Sequence, residues 1–129
     1  MGVLPKFGLR FVPFVALALL AAGCGGGGGV DSSSEGFKAL NSGDYSRARD
    51  VFAAMHAKDP HDPFVELNLA VSYQNLGQMN LAEPLYRSVL VDGKGVAPST
   101  TTNSGDANKS LADIACTNLR LGLKNTNAC

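Results

Sequence analysis

Two histidines, His56 and His61, stand among two aspartates, Asp59 and Asp62, and these four side chains are the ones whose types suit a divalent cation. Imidazoles and carboxylates hold a metal when three or four of them converge. This set straddles Asp59-Pro60, where a helix has to end, so the spacing enforces no convergence and no metal site is expected. Three cysteines, Cys24, Cys116 and Cys129, offer thiol chemistry, but no two are spaced as a C-x-x-C redox pair. No G-x-S-x-G or H-E-x-x-H occurs, and the glycine run Gly25 to Gly29 lacks the Lys-Ser/Thr that completes a phosphate-binding loop. The residues therefore predict neither a catalytic centre nor a cofactor.

The chain around them begins with a basic stretch, Met1 to Arg10, carrying Lys6 and Arg10 and no acid, followed by an apolar stretch from Phe11 to Ala22. About a dozen apolar residues are too few to cross a bilayer, which takes roughly twenty, and the layout is that of a secretory leader. Leu20-Ala21-Ala22-Gly23-Cys24 then sets small residues directly before a cysteine. This segment resembles a bacterial lipobox, with Ala21 where that motif favours leucine. The resemblance implies cleavage after residue 23, a diacylglycerol on Cys24 and a place in the bacterial cell envelope. With Gly25 and no acid after the cysteine, it further implies an outer-membrane lipoprotein facing the periplasm. An ordinary leader cut after Ala22 or Gly23 is the plainer reading. Gly25 to Gly29 cannot offset their backbone entropy in a regular element, so these five form a flexible tether of roughly 12 Å reach within residues 24–31, the lipidated Cys and Gly-rich linker.

Beyond the leader the chain repeats itself. Gly43 and Gly77, Ala48 and Ala82, and Phe52 and Tyr86 each stand thirty-four residues apart with no gap between them. The residue types have physical reasons. Glycine supplies the left-handed residue that closes a helix, alanine lets two helices approach, and an aromatic ring four places on fills the space beside that contact. Asp59-Pro60 and Asp62-Pro63 mark the boundary between the two copies. With Gly36 and Ala70 at a small position, and Tyr73 and Val89 further on, residues 31–93 resemble the tetratricopeptide-repeat (TPR) family, whose period is thirty-four. The expected fold is all-α: two TPR helix-turn-helix repeats over 32–93, a polar loop over 94–109, and a C-terminal capping helix and tail over 110–129.

Punctuation and periodicity predict helices over Ser34–Ser42, with a cap at Ser32 or Ser33, and over Tyr45–Lys58, capped by Asp44. Two more follow over Pro63–Leu76, capped by Asp62, and Leu81–Val91, capped by Asn80, which leaves Pro84 in a first turn where it is tolerated. Ser110-Leu111-Ala112-Asp113 has capping-box spacing, and a last amphipathic helix over Leu111–Leu121 should cover the open edge of the second repeat. In an oxidising compartment Cys116 and Cys129 could close a disulfide; the alternative is a buried small thiol and a frayed one.

In the TPR family the first helices of successive repeats line a groove that takes up a peptide or a partner helix. Carried onto this chain, the groove positions are Phe64, Leu67, Val71, Gln74 and Asn75, with Phe37, Leu40 and Asn41 from the first repeat. An apolar strip edged by amides suits a partner with aliphatic anchors; the competing reading has Phe37, Leu67 and Val71 consumed by packing. The resemblance thus implies a protein-binding adaptor or assembly factor at a membrane, of the kind that serves pili and secretion systems. Other readings are an accessory or ligand-carrying envelope protein that uses the helical groove, and a self-associating lipoprotein. Lys6 and Arg10 are two of eleven basic residues against eleven acidic ones, so the chain after the leader is slightly acidic and nucleic acid is not an expected partner.

Overall fold

Asp44, Asp62 and Ser110 each stand one residue ahead of a helix and satisfy amides that the first turn leaves without partners. The Asp44 carboxylate accepts from the Arg47 amide at 3.1 Å, and Asp62 Oδ1 from the amides of Phe64 and Val65 at 2.9 and 3.3 Å. Ser110 Oγ accepts from the Asp113 amide while the Asp113 carboxylate accepts from the Ser110 amide at 3.1 Å, a reciprocal capping box. The computed structural model describes residues 32–99 and 104–129. Five α-helices run through them: α1 Ser32–Ser42, α2 Tyr45–His56, α3 Pro63–Asn75, α4 Met79–Asp92 and α5 Leu111–Leu123, with a 3-10 turn over Ser104–Asp106. No strand occurs among the described residues, so the chain is all-α there, and no helix is long and apolar enough to cross a membrane.

Helix ends repeat as well. Gly43 and Gly77 hold φ of 76° and 75°, the left-handed conformation that glycine adopts at little cost. At each, the next amide reaches back five residues, Asp44 to the Ala39 carbonyl at 2.9 Å and Gln78 to that of Tyr73 at 2.8 Å. The same closure ends α5, where Lys124 is forced to φ 51° and the Asn125 amide reaches the Arg120 carbonyl at 3.1 Å.

Several expected boundaries move. α1 starts at Ser32, so Ser32 and Ser33 lie inside it and not ahead of it, and α2 stops at His56. α4 starts at Met79 and not Leu81, because the closure at Gly77 delivers the chain straight into the next helix; Asn80 is therefore helical, and Gln78 takes the cap position without a side-chain bond. Pro84 consequently falls in the second turn and deprives the Asn80 carbonyl of an intrahelical donor. Asn80 is exposed, so water can serve instead.

Each helix packs on the next in sequence, and α5 also reaches back to α3. Residues thirty-four apart occupy equivalent buried places: Ala48 with Phe52, and Ala82 with Tyr86, are all without solvent exposure. Gly36 abuts the Phe52 ring, and Ala70 is fully buried one repeat later. α3 is central and buried nearly all round, through Val65, Glu66, Leu67, Asn68, Leu69, Ala70 and Ser72. α5 closes the far side by placing Leu111, Ile114, Ala115 and Leu119 against the cluster of Leu67, Ala82, Tyr86 and Val89. The segment between α4 and α5 is fastened at its base, the Leu111 amide bonding the Val96 carbonyl at 2.8 Å and the Ala112 amide that of Gly93 at 3.2 Å.

Candidate functional site

The aromatic residues of α1 and α3 meet. Phe37 stacks on Phe64 with ring centroids 5.3 Å apart and planes 30° off parallel, and it meets Phe52 edge-on at 6.2 Å. Phe37 and Phe64 are half-buried, and Phe64 and Val71 lean on both core clusters, so together they form a partly exposed apolar strip between the two helices. Asn41 and Asn75, thirty-four residues apart in the last turns of α1 and α3, are exposed. Asn75 Nδ2 donates to its own Val71 carbonyl at 2.8 Å.

Two of the expected groove residues are not at the surface. Leu40 is 8% exposed and sits in the core with Ala39, Ala48 and Phe52; Leu67 is 5% exposed, because α5 brings Leu111, Ile114 and Ala115 against its cluster. Both belong to the interior and are removed from the groove. Gln74 is half-buried and already engaged, its Oε1 accepting from the Tyr86 hydroxyl at 2.6 Å. That bond ties α4 to α3, and burial pushes the Tyr86 pKa well above the ordinary tyrosine range, with Asn118 of α5 acting in the opposite direction. Of the positions named from sequence, Phe37, Phe64 and Val71 with the amides of Asn41 and Asn75 remain as a candidate contact surface.

The histidine and aspartate cluster is dispersed. Asp62 caps α3, Asp59 Oδ1 accepts from the His61 amide at 3.2 Å, and His61 is exposed. His56 Nε2 lies 3.8 Å from Glu66 Oε1, and among the described residues no three metal-binding side chains gather. Glu66 is the residue that sequence reasoning missed: its carboxylate is buried and Oε2 has no hydrogen-bond partner among the described residues. The available signal was an acid within the otherwise apolar and amide run Phe64 to Ala70.

Cys116 and Cys129 are joined in a disulfide, with Cα atoms 5.7 Å apart. Cys24, the leader over 1–23 and the tether over 24–31 lie outside the described residues. Comparison with known proteins found no matching family model, no matching characterised protein and no matching solved structure.

Proposed function

We propose that this chain is a TPR protein-interaction module anchored in the bacterial cell envelope through Cys24, with the strip between α1 and α3 as its partner-binding surface. The observation that carries the reading is the recurrence at thirty-four residues of one constellation: a small residue at Gly36 and Ala70, a left-handed glycine at Gly43 and Gly77, a buried alanine at Ala48 and Ala82, and a buried ring at Phe52 and Tyr86. Two such units expose a stacked Phe37–Phe64 pair beside two amides, which suits an apolar helix or extended segment that also presents backbone groups. The leader, Cys24 and the glycine run support attachment to a membrane, with outer-membrane sorting following from Gly25. The chemistry of the surface is contact and hydrogen bonding; no group in it is placed to transfer a proton or act as a nucleophile.

A two-part experiment tests this. Labelled palmitate should enter the full chain and be lost in Cys24→Ser. Crosslinking from membranes should capture a discrete partner with the wild type and lose it with Asn41→Ala/Asn75→Ala, which removes the exposed amides and leaves the Phe pair and the Gln74–Tyr86 bond intact. Equal capture by both forms would overturn the groove reading, and absent acylation would overturn the anchor.

A further inference from the structure

After its left-handed turn at Lys124 the chain doubles back along α5, and its return is held at three points. Ala128 is 8% exposed and lies in the core cluster, Arg87 Nη1 donates to the Ala128 carbonyl at 3.5 Å, and Cys129 is bonded to Cys116. The Lys124 and Asn125 amides belong to the closure of α5, on the carbonyls of Leu121 and Arg120, and beyond them the Ala128 amide bonds the Asn125 carbonyl and the Asn127 amide bonds Asn125 Oδ1. Past Asn125, a single methyl and one long hydrogen bond to the helices are a weak hold, so the disulfide keeps residues 126–129 in place. α5 itself does not depend on it, having its own capping box and the packing of Leu111, Ile114, Ala115 and Leu119.

The disulfide is also reachable. Cys129 is exposed, Cys116 is half-buried, and both border an open cleft whose other walls include Leu90, Val91, Ala112 and Asp113. We infer that Cys116–Cys129 is a thiol-exchange latch, opened by an external dithiol while the helices stay folded, so that release of residues 126–129 widens the α4–α5 cleft. A dithiol's thiolate attacks Cys129 Sγ, the more exposed sulfur, forming a mixed disulfide and expelling the Cys116 thiolate, which takes a proton. The second thiolate of the dithiol then attacks its own sulfur in that mixed disulfide and releases Cys129 as a thiolate that is likewise protonated. The protein disulfide has gained two electrons and two protons, and the dithiol has become a disulfide. This inference rests on the cysteine pair and its seat alone, independently of the α1–α3 surface.

The test uses the full chain carrying Cys24→Ser, so that only the pair reports. Dithiothreitol in native buffer is followed by maleimide mass labelling, with hydrogen exchange read separately over 126–129 and 111–119. The latch requires two added labels per chain at a rate well above global unfolding, at least a tenfold loss of protection over 126–129, and unchanged protection over 111–119. Cys116→Ser/Cys129→Ser should reproduce that exchange pattern without reductant. Labelling only as fast as global unfolding would overturn the inference, as would retained protection over 126–129 or melting of α5 with the segment.

Discussion

Gly36 offers the sharpest quantitative test, because two opposing effects can be sized from the structure. An ideal Cβ built on Gly36 would lie 2.6 Å from Phe52 Cζ, 2.7 Å from Cε2 and 3.1 Å from Cε1. That ring has no solvent exposure and is held edge-on by Phe37, so it has nowhere to retreat. Overpacking of this kind costs about 1–3 kcal/mol, whereas replacing a helical glycine by alanine returns about 1 kcal/mol through propensity. Gly36→Ala should therefore destabilise the protein by about 1 kcal/mol, lowering Tm by roughly 4–8 °C for a fold of this size. In a Phe52→Leu background the ring tip is gone, and the same substitution should become stabilising by up to about 1 kcal/mol. Gly122→Ala is the control: its Cβ would meet Met79 Sδ and Cε, the latter 2.6 Å away, but these are the last two atoms of a flexible side chain, and the change should be neutral or stabilising. Urea denaturation of the four variants measures the cycle. If Gly36→Ala has the same sign with Phe52 and with Leu at that position, the close-packing argument is wrong.

Three further outcomes are expected. Lys124→Gly relieves a left-handed lysine worth about 1–2 kcal/mol of strain, less the greater chain entropy of glycine, and should raise stability by about 0.5–1 kcal/mol in thermal or urea unfolding. Tyr86→Phe leaves Gln74 Oε1 without its donor and should cost about 1 kcal/mol near neutral pH. Because burial raises the Tyr86 pKa, the wild type should lose stability as pH climbs past the ordinary tyrosine value of about 10, where only the unfolded chain ionises; unfolding in alkaline buffers should show a shallower loss in the phenylalanine variant. The Ser110 hydroxyl and then the Ser110 amide bond the Asp113 carboxylate and hold its pKa below the usual range. That contribution is present above the unfolded value and disappears as pH falls through the folded one, so between about pH 6 and about pH 2 the wild type should lose more stability than Asp113→Ala, read as urea midpoints.

The helix starts at Asp44, Asp62 and Ser110 were legible because each is set by one side chain acting on amides two or three residues away. The start of α4 was not: Asn80 is a good cap by type, but the backbone closure at Gly77 commits the chain to helix before Asn80 is reached. Equivalent buried pairs could be read from the interval of thirty-four, since an interval in sequence becomes an interval in space when units stack. Which groove positions stay exposed could not be read the same way. Leu67 is withdrawn by α5, which begins forty-four residues on, and Gln74 is engaged by a hydroxyl from α4. Glu66 and His56 meet across the α2–α3 turn, a proximity created by packing that no periodicity encodes.

The two backbone bonds that fasten the base of the α4–α5 connection, Val96 to Leu111 and Gly93 to Ala112, separate the length of that connection from the geometry of the stack. Whatever lies between Val96 and Ser110 begins and ends at a fixed distance, and doubling such a span costs only about 0.6 kcal/mol in closure entropy. The span is thus a permissive splice site, into which an epitope, a fluorophore-bearing peptide or a second folded unit could be written while α5 remains docked.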